Sequence, residues 1–214
     1  FTVRTSEQEY QGKSVIIATG ADTKWLGVPG EMEKIGRGVS SCAPCDAPFF
    51  RGKNVIVVGG GDSAMEEALV LSKFAQSITL VHRKEAFRAS EIMQKRVKEN
   101  PKIKILFNTE IKEILGKDKV EGVRLISNKT NEESEMPIEG VFVAIGHIPN
   151  SKVFEGIDRD ERGFIKVADH YKTNIEGVFV AGDIHDADYK QAVTAAGFGC
   201  AAALEAQWWL TGMK

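Results

Sequence analysis

The chain has few cysteines, no long apolar run and no excess of charge of either sign. Three cysteines in 214 residues, two of them in one Cys-x-x-Cys, exclude the disulfide framework of a small secreted domain and point to a reducing, cytoplasmic setting. No uninterrupted apolar stretch is long enough to cross a bilayer, and residues 1–10 are polar and alternating rather than signal-like. With 28 basic and 30 acidic side chains, a formal net charge of -2, the charge balance recommends neither nucleic acid nor a membrane surface as a partner. Low-complexity segments and short tandem repeats are also missing. The remainder, 43% hydrophobic and 27% charged, is the make-up of an ordinary soluble globular chain, long enough for one large domain or two smaller ones.

What is present is punctuated by short β-branched runs. Residues 1–5 alternate, Gln11-Gly12-Lys13 turns, and Ser14 to Gly20 reads as a buried strand arriving at a glycine. A chain opening in mid-hairpin is expected to have lost an N-terminal portion. Ala21 to Gly38, rich in glycine and proline, reads as an irregular linker crossing between domains. Asn54 to Val58, then a stretch with apolar positions at Ala64, Ala68, Leu71 and Ala75, then Ile78 to Val81 form a βαβ unit. Glu85 to Glu99 reads as a charged surface helix stopped by Asn100-Pro101. Strands are expected at 103–107, 110–115, 120–126, 141–146, 164–167 and 178–183, with a polar loop at 128–135, a second crossing at 148–151 and a closing helix from Gln191 to Leu210.

Chemistry concentrates first in Cys42-Ala43-Pro44-Cys45-Asp46. Two cysteines at this spacing can close a small disulfide, and an adjacent carboxylate can move the proton that thiol–disulfide exchange requires. Half of a zinc site, or two inert thiols, are the alternatives. A closed zinc site needs two more ligands, and Cys200, His82, His147, His170 and His185 show no paired spacing. Cys200, among small helical residues, reads as a buried, inert thiol, and Trp208-Trp209 as packing of a terminal helix or of a dimer contact.

The second constellation is Gly59-x-Gly61-x-x-Ala64, with Asp62 and Ser63 inside it. The first glycine makes a tight turn, the second lets the backbone approach a pyrophosphate, and the small third residue lets helix pack on strand. A strand before and a helix after supply the required context. At the end of the second strand, where an NAD site has an acid, stand His82-Arg83-Lys84, followed by Arg88. Cations here attract a 2′-phosphate and leave an unphosphorylated ribose without its acceptor, so NADPH is expected rather than NADH.

With these residues in hand, the sequence resembles the low-molecular-weight, bacterial or archaeal type of thioredoxin reductase, within class II of the pyridine nucleotide-disulfide oxidoreductases. The markers are Ala18-Thr19-Gly20, Cys42 to Asp46, Gly59 to Ala64, His82-Arg83-Lys84 with Arg88, Ala144-Ile145-Gly146-His147, Gly177 to Asp183 and Tyr189-Lys190-Gln191-Ala192, in this order from Ser14 to Leu210.

The resemblance implies an α/β fold of two Rossmann-like dinucleotide-binding domains, the FAD domain discontinuous and here incomplete. Residues 1–22 and 148–214 would be pieces of the FAD domain, and 23–147 the NADPH domain with its redox pair. Gly182 and Asp183 would meet the flavin ribitol and Gln191 and Ala192 the isoalloxazine, with Lys190 a further cofactor-binding position. Thr19, Gly20, Ile145 and Gly146 carry over as further cofactor-binding positions. The implied function is thioredoxin-disulfide reduction. Electrons pass from NADPH to FAD, to Cys45 as the flavin-facing sulfur of the pair, and from Cys42 to thioredoxin or a similar dithiol protein, with Asp46 as acid and base. A homodimer and a domain rotation are usual in such proteins. Ala43-Pro44 replaces the frequent Ala-Thr, Ala47 a common glycine and Lys84 a common arginine. The family's opening Gly-x-Gly-x-x-Gly unit, which holds the FAD pyrophosphate, has no counterpart before Phe1. Peroxiredoxin-reducing or ferredoxin-linked relatives, and a flavin-free nucleotide-binding piece without activity, are the competing readings.

Overall fold

The computed structural model describes residues 1–213, and of His170 the backbone alone. The chain divides into two compact units, Phe1–Asp22 together with the chain from His147 onward, and Thr23–Gly146 inserted between them. His147, expected at the end of the insertion, belongs to the outer unit.

The chain opens in an exposed antiparallel hairpin of β1 (Thr2–Arg4) and β2 (Glu9–Gln11). Next come β3 (Val15–Ile17), of which only Ile17 is buried, and β4 (Ala21–Thr23). Residues 24–38 are irregular, as their glycine and proline content suggests, but they are not a free linker. Trp25, Leu26 and Val28 pack into the inserted unit's core, and the fully buried carboxylate of Glu31 accepts the N–H groups of Leu26 and Gly27 at 2.9 and 2.7 Å. Gly30 has φ +80, and a Cβ there would lie 2.1 Å from the Ile114 carbonyl oxygen, so no other residue fits.

The inserted unit is built on a parallel sheet. Its elements are β5 (Val39–Ser40), α1 (Ala43–Asp46), β6 (Asn54–Val58), α2 (Asp62–Leu71), β7 (Ser77–His82), α3 (Glu91–Lys98) and β8 (Ile103–Phe107). An antiparallel meander of β9 (Thr109–Leu115), β10 (Gly122–Ser127) and β11 (Glu133–Pro137) precedes β12 (Gly140–Val143). The sheet order is β5-β12-β6-β7-β8, every neighbour parallel. The period-2 alternation of its strands divides the core into two layers. Val55, Val57, Ile78, Leu80 and Phe142 face the helices, whereas Ile56, Val58, Val81, Val141 and Val143 face the meander.

Three expectations fail here for backbone reasons. The helix expected over 85–99 is confined to Glu91–Lys98, because the amides of Arg88 and Ala89 bond the Gly60 carbonyl and that of Ser90 bonds Asp62. The loop expected at 128–135 ends early, since Asn131 turns at φ 59 and Glu133 already pairs in β11. Ala75 falls beyond α2, in the turn that closes it.

Back in the outer unit, β13 (His147–Pro149) pairs with β4, and β14 (Val178–Val180) runs parallel to β3. Residues 164–167 form no strand. Ile165 makes one isolated bridge to Arg159, its amide bonds Ile184 and that of Lys166 bonds Asp158, so the backbone is satisfied by loops. The closing helix α4 (Ala192–Thr211) starts with a reciprocal Gln191–Thr194 capping box and ends at Gly212 with φ 69, and Cys200 on it is exposed, not buried as its small neighbours suggest. Among the described residues no helix is long and apolar enough to cross a membrane.

Candidate active site

Edge strand β5 delivers the Cys-x-x-Cys at its C-terminal end. Cys42 is extended and caps α1, Pro44 occupies an early position where its missing N–H leaves no bond unmade, and the two sulfurs are joined as the Cys42–Cys45 disulfide. The amides of this short helix are all provided for. That of Cys45 meets Cys42 Sγ at 3.3 Å, that of Asp46 bonds the Cys42 carbonyl, and that of Ala43 donates to Glu67 Oε2 on α2 at 2.6 Å. Ser40 Oγ donates to Asp46 Oδ2 at 2.6 Å and accepts the Cys42 amide at 3.1 Å. One hydroxyl therefore fixes both the acid and the backbone of the first cysteine.

Two strands along the same sheet edge, roughly 10 Å away by strand spacing, β6 ends in the glycine turn. A Cβ on Gly59 would lie 2.4 Å from the Ala144 carbonyl oxygen and 2.6 Å from Ala64 Cβ, and one on Gly60 would lie 2.2 Å from His82 Cε1. A Cβ on Gly61 would meet nothing within 4 Å among the described residues beyond its chain neighbours. The turn is thus closed on the protein side and open at the glycine expected to admit a pyrophosphate. Asp62 turns away from that opening. It accepts the Ser90 amide and hydroxyl at 2.9 and 2.7 Å, which hold its carboxyl below the usual range.

Beside the turn lies a cleft of about 430 Å³ lined by Trp25, Gly59, Gly60, His82, Arg83, Lys84, Arg88, Ala144 and Ile145, with Glu110 as an acidic neighbour. Arg83, Lys84 and Arg88 are exposed in it. His82 is buried, bonds the Ala86 carbonyl at 3.0 Å and stacks near Phe87, and burial pushes its imidazole towards the neutral form. It holds the turn's shape while the three cations supply charge. An open glycine backbone beside three cations fits a phosphorylated dinucleotide.

The outer unit gathers the remaining expected residues except Gly146, which ends the inserted unit. Thr19 is clamped to Asn150 by reciprocal bonds of 3.0 and 3.1 Å, ahead of Gly20. After β14, Gly182 turns at φ +76 and Asp183 follows, its Oδ1 buried without a hydrogen-bond partner among the described residues. A buried, unpaired carboxylate oxygen is an acceptor awaiting a donor, and a ribitol hydroxyl meets that requirement. Asp186 gathers the amides of Asp188, Tyr189 and Lys190 at 3.0, 2.8 and 2.7 Å; burial alone would raise its carboxyl, but these bonds hold it below the usual range. Lys190 is lowered chiefly by burial, as is His147, on which Lys190 also acts. Gln191 and Ala192 open α4. Gly146 is exposed at φ +109.

Four side chains in these sites escape the motifs. Ser40 and Ser90 flank the signatures without belonging to them, and Asp186 is legible only as an Asx turn before Tyr189. Glu67 did leave a signal, a carboxyl on the stripe of Ala64 and Leu71 where helical spacing calls for an apolar residue.

The sequence matches the family described as pyridine nucleotide-disulphide oxidoreductase over residues 1–199. It is 52% identical to the thioredoxin reductase of Mycolicibacterium smegmatis over 98% of this chain and 68% of that protein. It is 50% identical to the bifunctional thioredoxin reductase/thioredoxin of Mycobacterium leprae, covering 98% of this chain and 46% of that one. Among solved structures, the thioredoxin reductase of Streptococcus pyogenes superposes with a TM-score of 0.91 at 41% identity, over 99% of this chain and 70% of that one. The chain therefore spans about two thirds of two of these relatives and under half of the third.

Proposed function

Because the chain belongs to the pyridine nucleotide-disulphide oxidoreductases, and within them to the thioredoxin reductases, we propose that it passes electrons from NADPH to the Cys42–Cys45 disulfide and on to thioredoxin. Thioredoxin reductases are NADPH-dependent flavoproteins, in which the nicotinamide supplies a hydride and FAD relays its electron pair to the disulfide. The observation that carries the reading is the disulfide itself, set on the same sheet edge as an open glycine turn flanked by Arg83, Lys84 and Arg88.

In this reading the three cations hold the 2′-phosphate and Gly61 admits the pyrophosphate. Asp183 would accept from the ribitol, and Gln191 and Ala192 would lie against the flavin ring, with Lys190 beside them as a further cofactor-binding residue. Cys45 would be the flavin-facing sulfur, and Cys42, released as the S–S bond breaks, would attack the partner's disulfide. Asp46, oriented by Ser40, relays a proton to each departing thiolate as acid and base. The pairing of both activities in the bifunctional Mycobacterium leprae relative supports thioredoxin as the acceptor. A cytoplasmic setting and a homodimer complete the proposal, the former resting on a cysteine pair that has to cycle through its reduced form.

Steady-state reduction of thioredoxin with NADPH tests it. Cys42→Ser and Cys45→Ser are expected to abolish turnover while leaving flavin reduction by NADPH intact, and turnover surviving in either variant would overturn the assignment. A ferredoxin-linked route has no use for the cationic cleft; turnover with reduced ferredoxin and none with NADPH would favour it.

A further inference from the structure

Glu67 is a half-buried acid on a helix face otherwise packed into the core, and the electron path described above does not use it. It stands at the sixth residue of α2, so the helix that begins at the glycine turn carries it to the base of the redox loop. There its Oε2 lies 2.6 Å from the amide nitrogen of Ala43, the residue directly after Cys42 and itself fully buried. A backbone donor in that position has to be satisfied, and among the described contacts Glu67 is what satisfies it.

We propose that Glu67 is a positioning residue for the Cys42–Cys45 pair, holding the first turn of the redox loop through Ala43 and carrying a proton linked to the oxidation state of the two sulfurs. The inference rests on the reading of that pair as redox-active. The charges that face Glu67 are Glu66 on its own helix and Asp46 on α1, both negative. Burial first, and these two carboxylates after it, push Glu67 up to about 7 against the opposing pull of the Ala43 amide.

A dithiol reductant gives two electrons and two protons to the pair: the S–S bond breaks, and Cys42 and Cys45 become thiols as the reductant closes its own disulfide. When one of the new thiols ionises, its negative charge joins those of Asp46 and Glu66, and Glu67 binds its proton more tightly. By reciprocity, a neutral Glu67 favours the reduced pair.

The test is a redox titration of the protein against dithiothreitol, read by alkylation and mass from about pH 5.5 to 9. In the wild type the equilibrium should show an extra inflection near 7. Glu67→Gln keeps an oxygen for the Ala43 amide but cannot ionise. It should match the wild type at the acid end and lie towards the dithiol by about fivefold or more at the alkaline end, with no inflection. An unchanged inflection, or a shift uniform in pH, overturns the proposal while leaving the redox pair standing. A pair that dithiothreitol cannot reduce overturns the redox reading and this inference with it. Infrared difference spectra of the wild type, reduced minus oxidised near neutral pH with labelled glutamate, need no variant to fold. They should gain a protonated-carboxyl band on reduction, and no gain would contradict the linkage.

Discussion

Asp46 reaches Ser40, and Ser40 receives the Cys42 amide, so one hydroxyl orients both the acid and the residue it serves. Positioned acid–base groups contribute about 10²- to 10⁴-fold. Asp46→Asn should therefore slow thiol–disulfide exchange with thioredoxin by about a hundredfold, and Ser40→Ala by about tenfold through the same acid; stopped-flow thiol release separates the two. Glu67 sets a pH dependence of stability, and its sign is unusual. A glutamate exposed on unfolding releases its proton near 4.5, whereas in the folded chain Glu67 holds it until about 7. Between those values the folded state binds the extra proton, so stability falls as pH climbs through the window, and the loss is complete above its upper edge. Thermal melts should show Glu67→Gln gaining on the wild type on the alkaline side, by on the order of 1–3 kcal/mol, and little at the acid end. Asp186 behaves in the opposite sense. Its depressed carboxyl stabilises the turn before α4 above the ordinary aspartate range and ceases to do so as pH falls through its lower folded value.

The glycine turn binds a whole neighbourhood of elements together. Gly59 abuts Ala144 and Ala64, Gly60 sits on His82, and the Gly60 carbonyl collects the amides of Arg88 and Ala89. Gly59→Ala would drive a methyl into the Ala144 backbone, and overpacking of this kind costs about 1–3 kcal/mol; a lowered melting temperature with weakened NADPH binding is the expected result. This turn and the βαβ unit around it were legible in the sequence because glycine spacing and β-branched runs are local signals. The loop over 85–90 was not, since its charged composition suits a helix and only the tertiary bonds to Gly60 and Asp62 prevent one. The same holds for residues 164–167, whose apolar alternation suits a strand but whose amides bond Ile184 and Asp158 instead. Glu31 and the packing of Trp25 were hidden for a related reason: a segment rich in glycine and proline gives no periodicity from which burial can be read.

At the scale of the whole molecule, the charge balance is near neutral, yet Arg83, Lys84 and Arg88 concentrate positive charge on one cleft. Charge-assisted bonds contribute about 1.5–3 kcal/mol each. Arg83→Gln and Arg88→Gln should each raise the KM for NADPH by about ten- to a hundredfold and leave that for NADH nearly unchanged. His82→Gln, by contrast, should disturb folding more than nucleotide choice, because its ring is buried under Gly60. The most direct test of the electron path is to mix the oxidised, flavin-loaded protein with one equivalent of NADPH or NADH without an acceptor, and to count alkylated cysteines by mass. NADPH is expected to expose both Cys42 and Cys45 to alkylation, and NADH at the same concentration far less. A pair that stays joined while NADPH is consumed would contradict it.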